Sequence, residues 1–103
     1  MIQAVSTENR VSESCSAKLK IVNRYGLHAR PATDFAIAAG QFGSSVRVKA
    51  NDEDADGKSV MDLMLLAATK GTSIEVVCKG DDAKDCLEHL SDLIRRGFDE
   101  EDD

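Results

Sequence analysis

The sequence predicts one α+β domain, an antiparallel sheet covered by helices on one face, with its elements in the order βαββαβα. Three observations predict it. Short stretches alternate apolar and polar residues, the period of strands that bury one face only. Longer stretches carry apolar stripes at helical spacing, which must bury against that face. A chain of 103 residues, 42% of them hydrophobic, has room for one modest core without staples.

Residues 1–16 are polar, follow neither period and read as a disordered extension. Leu19 and Ile21 then alternate with Lys18 and Lys20, which predicts a half-buried strand over 17–22, broken by Gly26. Pro31 suits a first helical turn, where its missing N–H costs nothing, and Ala32, Phe35, Ala36, Ala39 and Phe42 form one stripe, predicting a helix over 29–42. Val46, Val48 and Ala50 against Arg47 and Lys49 predict a second strand, followed by a short third one before Gly57. Ser59, with Asp62 three residues on, resembles a capping box opening a helix from Val60 to about Thr69, with Leu63, Leu66 and Ala67 inward. Ile74, Val76 and Cys78 alternate in the last strand. Asp81 is expected to cap a final helix that buries Ala83, Cys86, Leu87, Leu90 and Ile94, and Gly97 with Phe98 fits a Schellman stop. The folded unit is thus expected over 17–98, with an acidic tail at 99–103.

Charge distribution is more informative than the net value of −6. Nine of the nineteen acids fall in two runs, Asp52–Asp56 and Asp99–Asp103. None lies between Glu13 and Asp34, where Lys18, Lys20, Arg24 and Arg30 fall, so a locally cationic patch is expected to handle a small anion. Cys15, Cys78 and Cys86 are an odd set without CxxC spacing, which argues against a disulfide framework or zinc site; they read as two core residues and one tail thiol. The longest apolar stretch, Val60–Ala68, is interrupted by Asp62 and too short to span a membrane, and no signal segment opens the chain. A cytoplasmic protein is expected.

The chemistry concentrates in Gly26-Leu27-His28-Ala29-Arg30-Pro31-Ala32, where a strand has ended and a helix begins. The first amides of a helix lack intrahelical acceptors, and the aligned peptide dipoles place about half a positive charge there. Such an end seats a phosphate. Pro31 has no N–H, so the donors are Ala29 and Arg30, and the Arg30 guanidinium can fork onto phosphate oxygens. Gly26 permits the tight turn that aims the imidazole of His28, whose neutral ring is a nucleophile at about neutral pH. A histidine at a helix start is by itself an ordinary polar residue; Gly26, Arg30 and Pro31 around it make the case for an anion site.

The stretch NRYGLHARPA, residues 23–32, is similar to the active-site signature of the HPr family, the histidine-containing phosphocarriers of the bacterial phosphoenolpyruvate-dependent phosphotransferase system. GKSVMDLMLLAATKGT, residues 57–72, resembles that family's second signature, around a regulatory serine. The likeness spans about residues 17–98 and implies an open-faced β-sandwich, four antiparallel strands with three helices on one face. It implies that His28 accepts a phosphoryl group on Nδ1 from phospho-enzyme I and donates it to an enzyme IIA domain, with Arg30 as the phosphate partner. Ser59 would match the serine modified by an ATP-dependent HPr kinase/phosphorylase, a role compatible with capping a helix. Val60, Met61 and Met64 would match an apolar docking surface, where flexible methionines suit several partners. Asn23-Arg24 and SVMDLMLLAATKG look more like the regulatory, nitrogen-related branch or its proteobacterial relatives than the sugar-transport branch of Gram-positive bacteria. Asp62 departs from the small residue common at its place and sets a carboxylate beside Ser59, so that phosphate there would meet like charge.

Two other classes of function bear weighing. A contact regulator could use phosphate on His28 or Ser59 as a switch, although His28, Arg30 and Pro31 together favour carriage. RNA binding on an open sheet would want aromatics there, and Tyr25, Phe35, Phe42 and Phe98 fall mostly on helical stripes. A stand-alone enzyme is not expected, since nothing accompanies His28 as a separate base, metal ligand or pocket; His89 falls among Asp82, Asp85 and Asp92 on a polar helical face. No metal or organic cofactor, no nucleic acid and no membrane insertion is implied, and transient docking suits a monomer.

Overall fold

The computed structural model describes residues 13–100. Its strands are β1 (Ser14–Lys20), β2 (Ser45–Ala50), β3 (Glu53–Asp56) and β4 (Ser73–Lys79); its helices are α1 (Ala29–Gly40), α2 (Val60–Leu65) and α3 (Ala83–Arg95), followed by a 3-10 turn at Gly97–Asp99. The four strands form one antiparallel sheet in the order β1-β4-β2-β3. Alternation does what the sequence predicted: Val46, Val48, Ala50, Ile74, Val76 and Cys78 are buried, while Arg47, Lys49 and Lys79 face outward. The inward residues meet Phe35, Ala32 and Ala39 of α1, Leu63 of α2, and Leu90, Ile94 and Cys86 of α3 in a single core.

Several local expectations need correction. β1 begins at Ser14, so the strand includes part of what read as the disordered extension; residues 1–12 and 101–103 lie outside the described residues. Cys15 is accordingly no tail thiol: it is half-buried in β1, paired with Cys78 across the ladder. Helix α2 ends at Leu65, short of Thr69, because Ala67 adopts φ 54° and the Asn51 side-chain amide donates to the carbonyls of Leu66 and Ala67. Ala68 is consequently buried and Ala67 exposed, the reverse of the sequence reading for Ala67.

The last helix is capped by Asp82, not Asp81, and the Asp82 carboxylate does not bond its own helix. It accepts instead from the Gly43 and Ser44 amides, both at 2.9 Å, and from the Ser44 hydroxyl, which pins the α1–β2 loop to the start of α3. Those bonds, led by the Ser44 hydroxyl, hold its carboxyl below the ordinary 3.8. Beneath the sheet, the Sγ atoms of Cys78 and Cys86 lie 3.6 Å apart. Burial, reinforced by the neighbouring Cys86, pushes the Cys78 thiol up to about 12, and burial raises Cys86 as well.

Candidate functional site

His28 is the N-cap of α1, with φ −80° and ψ −170°, and its side chain makes no cap bond to its own helix. Helix α1 has no acidic residue in its first turn, so nothing there competes with an incoming anion for its positive end. The turn before it is tightly specified. Asn23 O accepts from the Gly26 amide (3.2 Å), the Asn23 side chain donates back to Gly26 O (2.9 Å), and the Leu27 amide donates to Ala68 O (2.9 Å). Gly26 has φ +68°, and a Cβ there would lie 2.3 Å from Ala68 O, so both its backbone conformation and its packing require glycine. Pro31 is buried in the first turn as expected.

Arg24, Tyr25, His28, Arg30, Asp99 and Glu100 line one shallow cleft. The Tyr25 ring stands edge-on to the imidazole, centroids 6.1 Å apart, and the Arg24 guanidinium lies 5.2 Å from the Tyr25 centroid. Arg30 lines the cleft and is exposed, as is Ala29 beside it. Lys18 and Lys20 do not join them: they project from β1, and Lys18 lines a separate groove on the sheet with Lys49, Glu53 and Glu75. The expected cationic patch therefore divides, leaving two arginines near His28.

The sequence reading missed the sixth member of the cleft. Glu100, placed in a solvated acidic tail, sets its carboxylate against Nε2 of His28, with Oε2 at 3.1 Å and Oε1 at 3.4 Å. Its Oε1 also accepts from the buried Asn23 side chain at 3.0 Å. An ionised carboxylate only accepts, so in this contact Nε2 carries a proton, and whenever the ring is neutral the lone pair is then on Nδ1. The only sequence signal for Glu100 was Gly97, which implied that the chain turns after α3; it did not imply where the turn leads.

Around the second signature, Ser59 caps α2, its Oγ accepting from the Asp62 amide at 3.2 Å, and Asp62 in turn accepts from the Asp56 amide at 3.3 Å. Met61 is 75% exposed and Met64 also faces solvent, but Val60 is half-buried against the core. Leu65, 75% exposed, takes the outward place beside the methionines, four residues on from Met61. Tyr25 and Ile37 are further exposed apolar side chains that the sequence did not single out.

Residues 15–96 match the family model described as "PTS HPr component phosphorylation site". This chain belongs to the HPr family of phosphotransferase-system phosphocarriers. It is 46% identical over 82 residues to the phosphocarrier protein HPr of Neisseria meningitidis serogroup A, covering 80% of this chain and 92% of that protein. The phosphocarrier protein NPr of Shewanella violacea is 35% identical over 83 residues, covering 81% of this chain and 91% of that protein. Among solved structures, HPr-C-His from Thermoanaerobacter tengcongensis superposes with a TM-score of 0.81 at 34% identity, covering 84% of this chain and 98% of that one. The HPr match accounts for the one-sided sheet and its three helices, and it ends before Glu100.

Proposed function

We propose that this chain takes a phosphoryl group from phospho-enzyme I onto Nδ1 of His28 and delivers it to an enzyme IIA domain. The observation that carries the reading is the open N-terminus of α1: an uncapped helix end with His28 at its mouth, Nε2 occupied by Glu100, and Arg30 beside it. Ala29 and Arg30 supply unbonded first-turn amides for the phosphate, and Arg30 adds a guanidinium. The imidazole side chain is 40% exposed, which suits a carrier that must both receive and release. Few hydrogen bonds surround it, so the phosphate is held without being trapped.

Met61, Met64 and Leu65 form the docking surface for these partners, with Val60 supporting it from below. Ser59 is the regulatory serine, modified by an HPr kinase/phosphorylase; its half-buried hydroxyl gives up the Asp62 amide when it takes a phosphate. The protein acts as a cytoplasmic monomer, and no helix among the described residues is long and apolar enough to cross a membrane.

Intact-mass measurement after mixing with phosphoenolpyruvate, magnesium and enzyme I tests the central claim. One added phosphate that brief acid removes is expected, and His28→Ala should abolish it while leaving the fold intact. Uptake of an acid-labile phosphate by the His28→Ala protein would refute the assignment. At Ser59 an acid-stable phosphate should appear only with ATP and the kinase, and Ser59→Ala should remove it.

A further inference from the structure

We infer that Glu100 is a positioning residue for phosphoryl transfer, its carboxylate holding the His28 ring with Nδ1 forward and facing the positive charge that the ring acquires. The inference rests on His28 being the phosphoryl acceptor.

The backbone around Glu100 is built to bring it there. Gly97, Phe98 and Asp99 all take positive φ, 67°, 59° and 58°, so the chain makes a left-handed turn directly after α3. Only the first of the three is glycine, and left-handed conformations are unfavourable for the other two. The turn is held from both sides. Phe98 is buried as its anchor, and Arg96 pairs with Asp92 and Asp99 outside. The next carboxylate then lands between two partners, the Asn23 amide and Nε2 of His28. Glu100 is only 16% exposed, so this contact is less screened than an ordinary surface pair.

The chemistry gives the contact a purpose. The Nδ1 lone pair attacks phosphorus, the N–P bond forms as the bond from phosphorus to the donor's leaving atom breaks, and that bonding pair departs with the donor. The Nε2 proton stays in place. The ring that began neutral is now an N-phosphorylated imidazolium, and its positive charge develops against the Glu100 carboxylate. An interaction that strengthens as the charge forms lowers the barrier, as a carboxylate behind a histidine does in acyl transfer. Among the described residues the ring's polar contacts are made by Nε2, and Nδ1 meets no donor or acceptor. Asn23 gives Glu100 a second, buried donor and keeps its Oε1 from turning away.

The test compares Glu100→Ala and Glu100→Gln with the native chain, with circular dichroism and urea midpoints checking that the fold is kept. Uptake of labelled phosphate from phosphoenolpyruvate through enzyme I should slow about ten-fold in Glu100→Ala, and less in Glu100→Gln, which keeps an acceptor but loses the charge. Nitrogen-15 spectra of the ring, taken without phosphate at a pH where the ring is neutral, should show the Nε2–H form almost alone in the native chain. In Glu100→Ala they should move toward the mixed tautomers of free imidazole. Native uptake rates in both variants would overturn the inference, and so would slowed uptake with unchanged ring spectra. If the native chain itself accepts no phosphate from an active enzyme I, the carrier assignment fails and takes this inference with it; a native chain that accepts phosphate beside indifferent Glu100 variants refutes the inference alone.

Discussion

The N-termini of α1 and α2 carry the two residues of greatest interest, and they are finished in opposite ways. At α2, Ser59 bonds the Asp62 amide and Asp62 puts a carboxylate in the first turn, so the helix end is closed with the protein's own oxygen atoms. At α1 the cap is a histidine whose side chain bonds nothing in its helix, and no acid stands in the first turn. The difference teaches that an anion site at a helix end consists as much of omitted residues as of supplied ones. Any of the usual capping side chains at position 28 would occupy the donors that a phosphate needs.

Making the first end resemble the second should break it. Ala29→Asp places a carboxylate in the first turn of α1, and phosphoryl uptake is expected to fall about a hundred-fold through repulsion of the incoming group. Initial rates of uptake from phospho-enzyme I measure this. Arg30→Ala removes the guanidinium but leaves the helix end, so uptake should slow about ten-fold without disappearing. Equal rates for native and Arg30→Ala proteins would assign the whole anion seat to backbone amides. At the second end, Ser59→Ala should cost about 1 kcal/mol of stability in urea unfolding and leave uptake at His28 unchanged. At the other terminus of α2, Ala67→Gly should gain about 0.5 kcal/mol by relieving the positive φ, which a rise in urea midpoint would show.

A third helix end sharpens the contrast, because Asp82 caps α3 in position yet spends its carboxylate on the preceding loop. Its folded carboxyl lies below the unfolded value, so it contributes stability above about pH 4, lost as pH falls through the folded value. The destabilisation in Asp82→Asn should therefore be present at neutral pH and vanish in acid. Unfolding curves of both proteins across that range would show a constant difference if the Ser44 and Gly43 bonds did not matter.

Where neighbours in sequence decide the outcome, the sequence was readable. Val46, Val48 and Ala50 fixed the inward face of a strand through their own spacing, and Gly26 with Pro31 placed His28 at a helix mouth. What escaped was set by distant partners. The end of α2 depends on Asn51, whose side chain reaches across to the Leu66 and Ala67 carbonyls. Glu100 lies 72 positions from His28 and reaches it through a left-handed turn that Phe98 and Asp99 do not favour by propensity. Lys18 and Lys20 were close to Arg24 in sequence, but strand direction carried them to the sheet surface. Asp81 was expected to cap the last helix, but the cap is Asp82, whose carboxylate is held by Gly43 and Ser44 from a distant loop.

The strand order has a consequence for how the chain comes to be folded. β4 is the last strand in sequence, yet it lies between β1 and β2 and pairs with both. Until Ser73–Lys79 has left the ribosome, β1 has no strand beside it, and the β2–β3 hairpin is the only part of the sheet that can close. The sheet is therefore completed by a single insertion, with the unpaired backbone edges of β1 and β2 waiting for the strand that joins them before α3 covers it.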